Sequence, residues 1–226
     1  MDTTERFSDR VADYVKYRPS YPQSLVAALE ARHGWDPAKI VLADVGSGTG
    51  ISSRLFLERG YAVHGVEPNV DMRRAAERDL ASYPRFVSVA GTAEQTTLDA
   101  GSVDAVLAAQ AFHWFDPVRA RQEFARILRP SGVVVLLWNE RRVEGAFLEA
   151  YEAVLQELST DYGAVDHRNA QKHVANLFGE GGYQTLSAPN DFTEGMPAVA
   201  PPHHGSTQSF PSRAVRWRAR RPPDGG

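Results

Sequence analysis

The sequence predicts one doubly wound α/β domain with a mostly parallel sheet, and three observations carry that prediction. Short apolar runs alternate with segments of helical spacing between Lys39 and Trp138, the pattern of repeated βα units. The connections between them are brief, and right-handed crossovers of that kind place helices on both faces of a sheet. The run Ala105-Val106-Leu107-Ala108 is apolar throughout, as expected of a central parallel strand covered on both sides. At 226 residues the chain can bury the core that such a domain needs.

The elements follow in order. Phe7, Val11, Tyr14 and Val15 fall at helical spacing within Arg6 to Tyr17, and Pro19 and Pro22 end that helix. Pro22 then opens an amphipathic helix with Leu25, Val26 and Leu29 on one face, stopping near His33-Gly34. Lys39 to Val45 reads as the first core strand, Gly50 to Arg59 as the helix after it, and Tyr61 to Val66 as the second strand. Asn69 is placed to cap a helix whose Met72, Ala75, Ala76 and Leu80 face the sheet. Phe86 to Val89 and Ser102 to Ala108 are the third and fourth strands. Asp116-Pro117 supplies a cap and a first-turn proline for the helix Val118 to Leu128, which the turn Arg129 to Gly132 separates from the fifth strand, Val133 to Trp138. Two more helices, Glu144 to Leu158 and Asp166 to Phe178, and a sixth strand, Tyr183 to Leu186, complete the regular part. From Asn190 onward six prolines and a run of arginines between Arg213 and Arg221 show no sustained period, which predicts an irregular or disordered tail.

Composition narrows the partners. A net charge of -3 and a pI near 6.2 give no basic footprint for nucleic acid or an anionic membrane. Cysteine is absent, so thiolate metal sites and disulfides are excluded and a reducing, cytoplasmic setting is expected. The start Met1 to Glu5 lacks the features of a signal peptide, and the longest apolar run, Val133 to Trp138, is far too short to span a bilayer. The histidines show no metal-ligand spacing, so no metal site is predicted. A small-molecule partner, with neither nucleic acid nor membrane, is the expectation.

The chemistry concentrates at Asp44-Val45-Gly46-Ser47-Gly48-Thr49-Gly50, a strand-to-helix corner. Glycines at alternate positions permit a tight turn and leave the main chain bare for a flat ligand. A dinucleotide fingerprint would need a third glycine where Ile51 stands, and neither a phosphate-binding lysine loop nor a nucleophilic serine elbow is present. A carboxylate at the strand end suits a ligand amine and repels a pyrophosphate. Glu67 follows the next strand roughly 20 residues on, where a carboxylate can accept both hydroxyls of a ribose.

This pattern resembles the first motif of class I S-adenosylmethionine-dependent methyltransferases, of the type-11 and trans-aconitate methyltransferase-like group. The segment Tyr14 to Pro22 and the run Gln110-Ala111-Phe112-His113-Trp114 continue the likeness, which extends over about Phe7 to Leu186. It implies S-adenosyl-L-methionine as cofactor, with Asp44, Gly46, Ser47, Gly48 and Gly50 at its methionine end and Glu67 and Pro68 at the ribose. It also implies Ala93 and Glu94 at the adenine edge, Gln110 at the end of the fourth strand, and Tyr14 and Arg18 approaching from the N-terminal side. His113 is the histidine at the predicted rim and the candidate general base for an acceptor that must lose a proton. Phe112 and Trp114 are expected as pocket walls, while Arg141-Arg142 read either as a receptor for an acidic acceptor or as a solvated turn after the fifth strand. The acceptor implied is a small molecule, a carboxylate or a hydroxyl compound.

The resemblance divides the chain into an N-terminal helical lid and first core helix over 1–38, a cofactor-binding methyltransferase domain of Rossmann-like fold over 39–189, and the tail 190–226. Family members finish the sheet with an antiparallel strand, for which Arg213 to Arg218 is the only and a weak candidate. The expectation is that this strand is missing or aberrant. Two alternatives stay open: a catalytically impaired or non-enzymatic cofactor-binding homologue, and a nicotinamide oxidoreductase, against which Ile51 argues.

Overall fold

The computed structural model describes residues 20–139, 183–192 and 208–218. The expected helices over 6–17, 144–158 and 166–178, and with them Tyr14, Arg18, Arg141 and Arg142, lie outside the described residues.

Helix α1, Gln23–His33, buries Leu25, Val26 and Leu29 and ends on Gly34, whose φ of 62° closes the last turn. Strand β1, Val41–Val45, runs into the glycine turn and helix α2, Ile51–Leu57. Strand β2, Ala62–Val66, leads to helix α3, Val70–Asp79. The Asn69 side chain caps α3 as predicted, accepting from the backbone N–H groups of Asp71 at 2.9 Å and Met72 at 3.0 Å. Asn69→Ala is expected to cost about 1 kcal/mol, read as a lower urea midpoint at unchanged slope.

Strands β3, Phe86–Val89, and β4, Val103–Ala109, follow, then a single 3₁₀ turn, Phe112–Trp114. Helix α4, Pro117–Ile127, starts on Asp116, whose carboxylate accepts from Val118 N and Arg119 N. Strand β5, Leu128–Asn139, begins five residues before the expected Val133, and its pairing is interrupted: Val103 pairs with Leu128, but Ala105 pairs with Val133. The predicted turn survives inside the strand as that irregularity, with Ser131 at a φ of 68°. Asp104, the one charged residue of β4, anchors it, accepting from Val41 N at 2.8 Å and Arg129 Nη1 at 2.7 Å.

The sheet order is β3-β2-β1-β4-β5-β7-β6, with β6 at Tyr183–Phe192 and β7 at Gln208–Arg218. Strands β1 to β5 are parallel, so the sheet is doubly wound and mostly parallel. Leu25, Leu29, Phe56, Leu80 and Tyr61 fill the space under α1 to α3 on one face. Phe112, Phe124, Ile127 and Trp138 fill it under α4 on the other. Among the described residues, no helix is long and apolar enough to cross a membrane.

Sequence and structure differ at the carboxyl end. The closing antiparallel strand, expected to be missing or aberrant, is present: β7 pairs with β5 from Asn139↔Ser212 to Val133↔Arg218 and with β6 along its whole length. Strand β6 also runs past Leu186 to Phe192, so 190–192 and 208–218, assigned from composition to the tail, are strand. Proline is tolerated because Pro211 stands one residue beyond the last β5 pair, where β7 has lost one neighbour and its missing N–H is not needed.

Candidate functional site

Order reverses between β1 and β4: the chain goes from β1 outward through β2 to β3, then returns to the other side of β1. In such sheets the crevice outside the strands' carboxyl ends at that switch point is the ligand site. Asp44 stands in the last two residues of β1, and the glycine turn, Glu67, the 92–95 loop and Gln110 follow the carboxyl ends of β1, β2, β3 and β4.

The turn itself is held by backbone bonds to the neighbouring strand. Gly46 N and Ser47 N donate to Val66 O at 2.8 and 3.2 Å, and Gly50 N donates back to Ser47 O at 2.9 Å. Gly46 adopts a φ of 69°, and a Cβ there would stand 2.6 Å from the Ala111 Cβ. The turn after β4 is therefore packed directly on the turn after β1, with the Phe115 ring 3.4 Å from the same point.

Two carboxylates meet at this corner. Asp44 is fully buried, and its Oδ2 accepts from the hydroxyls of Ser52 and Ser53, both at 2.7 Å. Among the described residues its Oδ1 has no hydrogen-bond partner. Burial pushes the Asp44 carboxyl up to about 6 against those two hydrogen bonds, and the negative charge of Glu67 adds to the rise. Glu67 accepts from Gly48 N through Oε2 and from Asn69 N through Oε1, each at 2.9 Å. Burial raises its pKa too, opposed by the Asn69 and Gly48 N–H groups and by the Arg73 charge. Arg73 Nη1 in turn donates to the carbonyls of Glu67 and Pro68 at 2.8 Å. The predicted pair is thus close enough to interact electrostatically, and Glu67 is tied to the glycine turn through Gly48 N.

The third predicted loop is clamped from α4. Ala93 is buried, and Glu94 Oε1 accepts from Asp116 N at 2.9 Å. Glu123 accepts from Thr96 N at 2.8 Å, from Thr96 Oγ1 at 2.6 Å and from the Arg126 guanidinium, which holds its carboxyl down at about 2. Gln110 stands at a φ of 54°, its N–H donating to Leu137 O and its Nε2 to Asn139 O at 3.3 Å. His113 lies half-buried in the 3₁₀ turn with its ring 4.7 Å from that of Trp114. Trp114 is 41% exposed, whereas Phe112, expected as a pocket wall, is 2% exposed and belongs to the core under α4.

Sequence reasoning passed over Ser52, Ser53, Thr96 and Glu123. The serine pair at the start of a helix that follows an aspartate was a readable signal; the Thr96–Glu123 contact spans 27 residues and left none.

Residues 43–136 match the methyltransferase domain family. An uncharacterized methyltransferase of Mycobacterium tuberculosis is 43% identical over 140 residues, covering 62% of this chain and 54% of its own. A protein assigned as an S-adenosylmethionine-dependent methyltransferase in Saccharomyces cerevisiae is 32% identical over 126 residues, covering 54% of this chain and 42% of its own. The chain thus spans about half the length of the curated relatives it matches. A crystal structure from Anabaena variabilis, assigned to a methyltransferase of an antibiotic biosynthesis pathway, shares 26% identity at a TM-score of 0.54, covering 75% of this chain and 65% of that one. With the sheet order, the glycine corner and its two carboxylates, these matches identify residues 43–136 as a methyltransferase domain of the class I S-adenosylmethionine-dependent kind.

Proposed function

We propose that the chain transfers a methyl group from S-adenosyl-L-methionine to a small-molecule acceptor at the carboxyl ends of β1, β2 and β4. The observation that carries this reading is the Asp44 carboxylate, buried with one oxygen held by two serines and the other without a partner among the described residues. An unsatisfied buried acceptor costs about 1–3 kcal/mol, and the ammonium group at the cofactor's methionine end is a donor of the right charge to recover it. The turn of Gly46, Ser47, Gly48 and Gly50 supports the same fit, since its three glycines at positive φ allow the close turn at the strand end that a ligand lying across the corner requires. Glu67 keeps lone pairs for the ribose hydroxyls beside its two backbone bonds, with Pro68 next to it. Ala93 and Glu94 take the adenine edge, Gln110 the floor between the two reactants, and Tyr14 and Arg18 the outer side by resemblance.

When bound, the cofactor supplies a methyl group activated on a positively charged sulfur. The protein's own task is to hold the acceptor in line with that group and to exclude water. A carboxylate acceptor arrives ionised and needs no base. A hydroxyl or amine acceptor must release a proton, and His113, in the turn beside Trp114, is the residue proposed to receive it.

Titration calorimetry with S-adenosylhomocysteine, followed by a methyl-release assay over small carboxylic acids and hydroxyl compounds, tests the reading. Glu67→Ala is expected to weaken binding by about 1.5–3 kcal/mol, the loss of hydrogen bonds to a charged group. Unchanged affinity in that variant, or stabilisation by NADH but not by S-adenosylmethionine, overturns it. Tight binding with no turnover on any acceptor would instead favour a non-enzymatic cofactor-binding homologue.

A further inference from the structure

We infer that Glu94 is a positioning residue that couples the loop at the cofactor's adenine edge to the turn on the acceptor side, so that seating adenine also sets the turn carrying His113 and Trp114. The inference rests on the proposed cofactor site. Its new content is the mechanical link.

One Glu94 oxygen is committed: Oε1 accepts from Asp116 N at 2.9 Å. The other makes no hydrogen bond among the described residues. Asp116 is the hinge between two elements. Its side chain caps α4 through Val118 N and Arg119 N, and the residue before it, Phe115, is bound into the 3₁₀ turn by its N–H to Phe112 O at 3.1 Å. Phe115 packs on Phe112 and Phe124, and its ring stands 3.4 Å from the position of a Gly46 Cβ. A shift of the Asp116 amide therefore reaches the glycine corner and the His113–Trp114 pair through contacts that are already close-packed.

The loop end is equally constrained. Thr92 and Gln95 exchange backbone hydrogen bonds at 3.0 and 3.3 Å across Ala93 and Glu94. Thr96 is pinned by Glu123, and Leu98 O accepts from Arg126 Nη2 at 2.7 Å. Loop and α4 form one unit tied at three points, and Glu94 is the tie nearest the crevice. A carboxylate with one oxygen on Asp116 N and one open oxygen can accept a donor such as an exocyclic amine without releasing the strut.

The test uses the full chain with two ligands, S-adenosylhomocysteine and S-inosylhomocysteine, in which a carbonyl replaces the exocyclic amine. Hydrogen exchange at the Asp116 amide is followed beside calorimetric affinity. In the wild type, S-adenosylhomocysteine is expected to bind about tenfold tighter, the worth of one hydrogen bond to a charged group, and to slow Asp116 exchange more than the inosyl analogue does. Glu94→Gln keeps an oxygen for Asp116 N but turns the open position into a donor. It should leave exchange in the free protein unchanged while losing both the preference and the ligand-induced slowing. Glu94→Ala should speed Asp116 exchange in the free protein; if that variant does not fold, Glu94→Gln decides alone. Retained preference in Glu94→Gln, or Asp116 exchange indifferent to S-adenosylhomocysteine in the wild type, overturns the inference and leaves the proposed function standing. Absence of any binding of S-adenosylhomocysteine by the wild type would overturn both.

Discussion

Gly46→Val is expected to abolish cofactor binding and to lower the thermal midpoint by about 6–12 °C, the shift for roughly 3 kcal/mol in a chain of this size. Two costs add. A β-branched residue must adopt the left-handed φ of 69° found at Gly46, at about 1–3 kcal/mol. Its Cβ must also stand 2.6 Å from the Ala111 Cβ, an overpacking worth about 1–3 kcal/mol. Ala111 cannot rotate out of the way, because its Cβ is fixed to the backbone of the turn after β4. Relief has to come from separating the two turns, which opens the crevice where the cofactor is proposed to lie. Gly50→Ala makes an instructive contrast: its Cβ would stand 2.6 Å from Leu80 Cδ1, the far end of a side chain that can change rotamer. It should cost less stability and leave measurable affinity. Scanning calorimetry together with titration by S-adenosylhomocysteine checks both, and a folded Gly46→Val protein with normal affinity would place the cofactor elsewhere.

Asp44→Asn should stabilise the free protein at neutral pH and impair cofactor binding. The folded-state pKa of Asp44 is raised, from 3.8 to about 6, chiefly by burial. Between those values the folded state holds a proton that the unfolded state has released, so stability falls as pH rises through that window. The protonated form carries no such penalty, and the full cost, on the order of 3 kcal/mol, is present above about pH 6. Asparagine removes the charge while its carbonyl can still accept from Ser52 and Ser53. The gain in stability should therefore be largest near pH 7 and vanish near pH 4. Cofactor affinity should move the opposite way in the wild type, rising through about pH 6 as the carboxylate ionises to receive an ammonium group. In Asp44→Asn it should be weak and flat across the same range. Urea unfolding and calorimetry between pH 4 and 8 measure both curves; a stability gain independent of pH would assign the buried charge to another group.

Much of this could be read before any fold was known. Strand β3 has the bounds that its apolar residues indicated, Asn69 and Asp116 cap the helices they were expected to cap, and Gly34 closes α1. Each of these signals is local: a cap lies within three residues of the groups it satisfies, and periodicity reveals itself within one element. The glycine corner and Glu67 were legible for a related reason, since the spacing of a βα unit fixes how far apart successive strand ends lie along the chain.

Strand β7 was hidden because its partners are distant. Its arginines and proline give no apolar run, and its pairing with β5 and β6 is what makes it a strand. Phe112 and Trp114, two residues apart in one apolar stretch, offered no basis for putting the first in the core and the second at the surface; the direction of a 3₁₀ turn over α4 did that.

Residue order alone established the succession of strands and helices from α1 to β5, the glycine corner and the two acidic residues beside it, because these depend on neighbours in the chain. Folding in three dimensions determined how much each group is free to do. Among the described residues it left one oxygen of Asp44 unpaired, gave one oxygen of Glu94 to Asp116, and pressed Ala111 against Gly46. Hydrogen bonding and close packing are satisfied between surfaces that meet only when the sheet is assembled, so no inspection of the linear chain could have supplied them.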